Sequence, residues 1–283
     1  MMSADTFATP RAAAHPVPVR TLSICSGKGG VGKTNVSVNL AVAMAARGQR
    51  VALLDADLAM ANVDVLLGLQ QNGNLSHVIA GERTLDEIVI EGPRGLRVVP
   101  AASGVAALAG LTTAEHAGLI NAFSELSAEL DVLVVDIAAG ISGSVTSFAA
   151  ATQEVCVVVC DEPASMTDAY ALIKVLSRDH GVRRFRILAN MVPDEQQGHR
   201  LYRKLASVCE RFLEVALVYM GSLPQDAYVR KAVQRQAAVV DAYPRSRVAR
   251  TLDRLAGDIE RWPLPDGAGG GIEFFVDRLV AAT

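Results

Sequence analysis

The stretch Gly27-Lys28-Gly29-Gly30-Val31-Gly32-Lys33-Thr34 decides the fold of this chain. It has the spacing GxxxxGK[ST], and it lies between an apolar run at 21–25 and a helix-like segment at 34–46. Glycines let successive backbone N–H groups turn toward phosphate oxygens, and the start of a helix adds a positive dipole end. The sequence therefore predicts a phosphate-binding loop between a strand and a helix.

The motif also gives its polar residues separate tasks. The Lys33 ammonium is expected to reach the β- and γ-phosphates, and the Thr34 hydroxyl to ligate Mg²⁺. The predicted nucleotide-binding residues of this segment are Gly27, Lys28, Gly29, Gly30, Val31, Gly32, Lys33, Thr34 and Asn35.

Apolar runs of strand length alternate with longer helix-like segments from residue 20 onward. This alternation predicts an α/β fold with a doubly wound, mostly parallel sheet of about seven to eight strands flanked by helices, a P-loop NTPase. The predicted strands are 21–25, 51–54, 96–99, 132–135, 155–160, 186–189 and 215–219, and the helices include 34–46, 114–130, 167–178 and 197–211.

Four segments are predicted along the chain. Residues 1–19, rich in Pro and Ala, form a flexible tail, 20–262 the nucleotide-binding domain, and 263–271 a Pro/Gly linker. In residues 272–283, a helix would gather five apolar residues on one face. They are Ile272, Phe275, Val276, Leu279 and Val280. Two alternatives stay open for this amphipathic helix: it binds a membrane surface, or it docks on the body of the protein.

Composition excludes several classes of protein. The formal net charge is −3, so bulk charge gives no reason to expect nucleic-acid binding. None of the four cysteines forms a CxxC pair, and three lie in or beside apolar runs, as core residues do. No secretory signal or bilayer-length apolar stretch is recognised, which predicts a cytoplasmic protein or one lying on a membrane surface.

Two further strands end in carboxylates. The run 51–54 is followed by Asp55 and Asp57, and the run 132–135 by Asp136. Ligands of open α/β sheets bind beyond the carboxyl ends of strands. Because residues i and i+2 of an extended segment point the same way, Asp55 and Asp57 are expected to face the γ-phosphate together. Asp136 fits a Walker B carboxylate that holds Mg²⁺ through water.

The form KGGxGKT resembles the deviant Walker A motif of the MinD/ParA ATPase family. The resemblance implies ATP as the nucleotide, and implies that Lys28 reaches phosphates bound by the partner subunit of an ATP-dependent homodimer. It also implies that Asp57 orients the attacking water and that Asp55 supports the metal region. The expected catalytic residues are then Asp57, Lys28 and Lys33. The expected metal site is Thr34, Asp57 and Asp136, some through water.

Two later segments resemble the base-binding side of that family. Asn190 follows the run 186–189, at a point where the family hydrogen-bonds adenine. Pro224 and Asp226 follow the run 215–219 and resemble the second adenine-side loop. Both segments are also good turn sequences.

Segments beyond the nucleotide motifs resemble the flagellar-number regulators of this family, the FleN/FlhG branch. They include 58–69, 99–104, 160–170 and 229–234. The resemblance implies slow Mg-dependent ATP hydrolysis, restraint of an AAA+ flagellar transcription activator, and membrane association through residues 272–283, at the inner face of the membrane or the cell pole. An FlhF-type GTPase is a further partner of the branch, but the activating Asp-Gln-Ala motif is not found in residues 1–20.

Four other functions stay open, one of them a small-molecule ligase on the same fold, for which no separate substrate-pocket motif is found. A ParA-type partition ATPase for DNA or cargo needs a basic surface, for which the candidate residues are Arg245, Arg247, Arg250 and Arg254. An iron–sulfur carrier of related fold needs cysteine ligands, and Cys156 and Cys160 lie four apart in an apolar strand. An interaction module that binds ATP with little turnover fits the same motifs.

Overall fold

The computed structural model describes residues 19–57, 62–100, 113–127, 129–263, 275–277 and 279. Its strands are β1 (Arg20–Ser26), β2 (Val51–Ala56), β3 (Ile90–Glu91), β4 (Arg97–Pro100), β5 (Val132–Ala139), β6 (Glu154–Val159), β7 (Arg184–Val192) and β8 (Ala216–Pro224). They form one sheet in the order β3-β4-β2-β5-β1-β6-β7-β8. All neighbours are parallel except β3 and β4. The predicted fold class is confirmed.

Helices cover both faces of this sheet. In chain order they are α1 (Lys33–Ala46), α2 (Val63–Leu67), α3 (Leu75–Ile79), α4 (Leu85–Ile88), α5 (Thr113–Ser127), α6 (Gly143–Ala151), α7 (Pro163–His180), α8 (Glu195–Phe212), α9 (Ala227–Gln234), α10 (Val239–Ala242) and α11 (Arg247–Glu260).

Two hydrophobic cores lie on opposite faces of the sheet, because alternate residues of a strand point to opposite sides. In β5, Leu133 and Val135 join the core that contains α5 to α8. Val132 and Val134 join the other core, which contains α1, α10 and α11. Burial on both faces explains why the central strands are near-continuous apolar runs.

The chain order places a switch of winding direction at β1. From β1 the chain moves to β2 on one side, whereas β6, β7 and β8 extend the sheet on the other. Open α/β sheets bind ligands in the crevice at such a point, beyond the carboxyl ends of the strands. The phosphate loop between β1 and α1 lies there.

A cluster of charged groups surrounds Trp262 near the amino ends of the strands, away from the phosphate loop. Buried Arg186 donates to Glu154 at 2.7 and 3.0 Å, and its guanidinium lies 3.4 Å from the centre of the Trp262 ring. Arg20 donates to the Trp262 carbonyl oxygen at 2.7 Å and to that of Pro263 at 3.4 Å. These contacts fix the end of the domain against the first residues of β1, β6 and β7.

The C-terminal residues that the structure describes are helical and pack on the body. Phe275, Val276 and Leu279 are 2, 1 and 4% exposed and belong to the core on the α5–α8 side. For these described residues, the arrangement is the docked one of the two alternatives. Most of the predicted tail 1–19 and linker 263–271 lies outside the described residues, so those boundaries stay predictions.

In the described part of the chain, no helix combines the length and the apolar character needed to cross a bilayer.

Candidate functional site

The phosphate loop is shaped by close packing of glycines. Gly32 precedes α1 with φ 83°, a left-handed conformation that favours glycine. A Cβ added at Gly27 would lie 2.1 Å from the Asp168 carbonyl oxygen of α7. The loop therefore requires glycine at both positions, one for its backbone angle and one for the approach of a neighbouring helix.

A buried polar cluster joins the loop to Asp136 of β5. The Lys33 ammonium lies 3.3 Å from Asp136 Oδ1, and the Ser37 hydroxyl donates to the same oxygen at 2.7 Å. Burial raises the pKa of Asp136, and the charge of Lys33 opposes that rise. Ser37 lies one helical turn after Lys33, and the sequence analysis missed it because a Ser on the buried side of an apolar helix carries no motif.

The second oxygen of Asp136 makes this cluster suitable for a cation. Oδ2 is buried and accepts no hydrogen bond within the described residues. A buried carboxylate oxygen without a donor is costly unless another ligand uses it. Thr34 is close enough to lower the pKa of Asp136. Thr34 and Asp136 thus offer the hard oxygen ligands that Mg²⁺ prefers, as the sequence predicts.

Asp55 has a different role from the one expected. Its carboxylate accepts backbone N–H groups from Asp57, Asn62 and Val63 at 3.1, 3.0 and 3.1 Å. Burial, with a smaller contribution from the charge of Asp136, raises the pKa of Asp55 to about 6. Asp55 thus holds the two ends of the segment after β2 together.

The expectation that Asp55 and Asp57 face the phosphates together is therefore wrong. The strand ends at Ala56, so the alternation of side chains does not extend to Asp57. Asp55 is 3% exposed and bonded to the backbone, whereas Asp57 is partly exposed where β2 ends. The catalytic and metal roles of Asp57 stay predictions.

A cavity of about 660 Å³ adjoins the phosphate loop. The predicted base-side residues Asn190, Pro224 and Asp226 all line it, as do Asn35 of the phosphate-loop segment and apolar side chains such as Val36 and Leu252. An apolar cleft with a few polar groups is typical of a ligand site. The structure thus brings both predicted adenine-side segments to one cavity beside the loop.

Asn190 and Asp226 also have structural roles in this cavity. The Asn190 amide donates to the Val31 carbonyl oxygen at 2.8 Å, and its own oxygen accepts the Met191 N–H at 2.9 Å. Asp226 accepts N–H groups from Tyr228 at 3.0 Å and Val248 at 3.3 Å. Asn190 thus supports the phosphate loop, and Asp226 joins the starts of α9 and α11.

Lys28 pairs with a residue that the sequence analysis did not single out for a role. Its ammonium donates to Glu162 Oε2 at 2.8 Å, and this hydrogen bond raises the pKa of Lys28. Both side chains are exposed. The two residues are 134 positions apart, so no local pattern links them. The only signal in the sequence is that Glu162 follows the end of a predicted strand.

All four cysteines are buried free thiols. Burial raises the pKa of Cys25 to about 12 and those of Cys160 and Cys209 to about 11. In the parts of the chain that the structure describes, no group of three or more Cys, His, Asp or Glu side chains is arranged to hold a metal ion.

Comparison with known proteins gives a consistent set of relatives. A sequence profile of the ParA family, described as NUBPL iron-transfer P-loop NTPase, matches residues 19–260. The antiactivator FleN of Pseudomonas aeruginosa is 57% identical over 93% of this chain and 94% of its own. The flagellum site-determining protein YlxH of Helicobacter pylori is 32% identical, over 83% and 80%.

A solved structure has the same fold. The septum site-determining protein MinD of Pyrococcus horikoshii, complexed with Mg-ADP, superposes with a TM-score of 0.68 at 24% identity. The match covers 86% of this chain and 96% of that one.

Proposed function

This chain belongs to the ParA/MinD family of P-loop NTPases, a family of ATPases, and we propose that it is an ATP-dependent dimeric switch that regulates flagellar number. The observation that supports the nucleotide part best is the buried cluster of Lys33, Ser37 and Asp136, whose open carboxylate oxygen lies beside the phosphate loop. The flagellar part rests on the relative that is 57% identical, an antiactivator by name.

The proposed mechanism assigns one task to each group. The backbone of residues 27–34 cradles the phosphates, with Lys33 neutralising their charge. Thr34 and Asp136 would hold Mg²⁺, which would supply charge neutralisation at the phosphate oxygens. Asp57 orients the attacking water, and Asn190, Pro224 and Asp226 bound the adenine pocket. With these groups alone, turnover is slow, as suits a switch whose partner accelerates it.

Exposed apolar side chains support a dimer formed over the nucleotide. Val65, Ile141 and Met191 are 58, 50 and 42% exposed, and they belong to segments at the carboxyl ends of β2, β5 and β7. Large exposed apolar residues at one end of the strands are typical of an interaction surface. A second copy over this end brings Lys28 near the partner's phosphates.

The proposed partner is an AAA+ flagellar transcription activator, which the dimer restrains. The name of the relative, an antiactivator, supports a partner of this kind, and a second relative is named for determining the flagellum site. An FlhF-type GTPase has less support, since residues 1–20 lack the motif expected for its activation. Release of residues 272–283 onto the inner membrane surface belongs to the same proposal. These relatives favour flagellar control over DNA or cargo partition.

The experiment that tests the proposal counts flagella per cell in the native host carrying Lys33→Ala, with the protein level checked by immunoblot. Lys33 is buried in the phosphate loop, so its loss removes nucleotide binding. We expect more flagella at an unchanged protein level. Lys204→Ala, at an exposed lysine of α8, is the matched control and leaves the count unchanged. A normal count in Lys33→Ala cells would contradict the flagellar assignment.

A further inference from the structure

A groove lined by arginines lies on the outer side of α11. It has a volume of about 250 Å³ and is lined by Arg247, Arg250, Thr251 and Arg254. We name these four residues the arginine groove. The three arginines stand at positions i, i+3 and i+7, so they follow one face of the helix. The lining contains three positive charges and no carboxylate.

Two of these arginines form no ion pair in the described parts of the chain. The acids of α11 are engaged elsewhere, because Asp253 and Glu260 pair with Arg47. Arg254 lies 3.7 Å from Glu195 of α8, a long and exposed contact. The side chains of Arg247 and Arg250 form no ion pair within the described residues.

The position of these charges on the helix increases the positive potential. The first turn of α11 contains no acidic residue, although that is where acids are favourable and bases unfavourable. A concave surface lined by one sign of charge concentrates its field and attracts counter-ions. An anion in the arginine groove would relieve the mutual repulsion of the guanidinium groups and the helix dipole.

The arginine groove connects to the nucleotide cavity through the same helix. Val248 and Leu252 on the inner face of α11 line the 660 Å³ cavity. A smaller cavity of about 100 Å³ adjoins the outer face, and Arg247, Thr251 and Pro224 are among its lining residues. Pro224 lines this cavity and the nucleotide cavity alike. An anion on the outer face would therefore contact the helix that bounds the base pocket.

We propose that the arginine groove binds a compact phosphate-type oxyanion carried by a small soluble ligand. Guanidinium groups bind phosphate oxygens through paired N–H donors, and the Thr251 hydroxyl adds a further donor. The volume suits a small group. An extended polyanion would meet Asp194 and Glu195, which line the adjoining cavity.

The test measures binding of inorganic pyrophosphate by calorimetry to protein already saturated with Mg·ADP, so that the phosphate loop is blocked. We expect one pyrophosphate bound per chain in the wild type. Binding should weaken at least about tenfold in Arg247→Gln/Arg250→Gln, because paired charge-assisted hydrogen bonds are lost. Arg203→Gln, at an exposed arginine of α8, is the matched control and should bind as the wild type does.

Several outcomes would overturn the proposal. They are no pyrophosphate binding to the ADP-saturated wild type, equal binding by the double variant, and an equal loss in Arg203→Gln. Loss of affinity for a single-stranded oligonucleotide without loss for pyrophosphate would assign the groove to nucleic acid instead. Unchanged ADP affinity shows that the double variant is folded. If it does not fold, Arg250→Lys serves, which keeps the charge, loses the planar fork, and should bind with reduced affinity.

Discussion

Lys28 is held by Glu162 within one chain, although its proposed role lies across a dimer interface. The 2.8 Å contact joins two exposed side chains, so it can exchange for another anion without unfolding any element. Phosphate oxygens and the Glu162 carboxylate are alternative partners for the same ammonium. The pair therefore opposes the step in which Lys28 turns toward a second subunit.

We predict that Glu162→Gln lowers the ATP concentration needed for dimer formation, because Lys28 loses its charged partner. The measurement is the dimer fraction against ATP concentration, by light scattering after size-exclusion chromatography. Asp161→Asn is the control, because this neighbouring carboxylate bonds to Gln197 instead of Lys28. An unchanged or higher ATP requirement in Glu162→Gln would contradict the idea that the Lys28–Glu162 pair opposes dimer formation.

The motifs predicted which residues gather at the site but not how each is bonded. Lys33, Thr34 and Asp136 follow from a loop and a strand end, whose relative positions the parallel sheet fixes. Asn190 lines the cavity beside the loop, but its bond to the Val31 carbonyl oxygen depends on the approach of two distant segments. Local pattern holds no information on such contacts, which explains the errors on Asp55.

At the scale of elements, β2 and β5 begin with a clip between Arg50 and Asp131. The Asp131 carboxylate accepts the Arg50 backbone N–H at 2.8 Å and a guanidinium N–H at 2.7 Å. The hydrogen bond from the Arg50 side chain is the main reason that the pKa of Asp131 is below its usual value. A carboxylate with a lowered pKa stabilises the fold above its ordinary pKa, and this contribution is lost as the pH falls through the folded value.

We predict that Asp131→Asn causes a small loss of stability at pH 7, within the range of one exposed ion pair. The loss should be the same at pH 5 and should shrink below the ordinary pKa of 3.8, where the unfolded chain binds a proton before the folded carboxylate does. Urea unfolding at pH 7, 5 and 3 checks this. Asp179→Asn, at an exposed aspartate of α7, is the control. A difference that grows toward pH 3 would refute the role of the clip.

Elements with a long apolar run were predicted well, and short or irregular ones were not. β3 has two residues, too few for any periodicity, and only its pairing with β4 defines it. β8 extends beyond the predicted 215–219 to Pro224. Its register against β7 shifts after Tyr219, and pairing resumes beyond that irregularity. Gly221, with φ 149°, lies at this point. In the sequence this glycine indicates the end of a strand, whereas in the structure β8 continues past it because it pairs again with β7.

For the whole molecule, the docked C-terminal residues are part of the core. Phe275 is 2% exposed, among the largest fully buried side chains of the described structure. Removing a buried Phe costs about 3–5 kcal/mol in a rigid core. Here the loss is limited to the free energy with which the segment around Phe275 docks, since that segment can detach when the cost of the cavity exceeds its docking free energy.

We predict that Phe275→Ala lowers the free energy of unfolding to about the level of a chain truncated after residue 271. Urea unfolding of both variants measures this. Phe212→Ala removes the same side chain from an exposed position, 57% accessible, and should change stability by less than about 0.5 kcal/mol. Wild-type stability in Phe275→Ala would show that the segment adds nothing to the fold.

The stacking of Trp262 on Arg186 has an optical consequence. Trp262 is the only tryptophan of the chain, so the indole emission of the protein excited at long wavelength comes from one ring. That ring lies near the amino ends of β1, β6 and β7, away from the phosphate loop. It stacks on the guanidinium of Arg186, which a buried ion pair with Glu154 holds in place. Its emission is therefore a label for the place where the chain leaves the domain toward Phe275. We expect nucleotide binding alone to leave the wavelength of this emission unchanged. A displacement of the C-terminal segment that moves Trp262 should shift it.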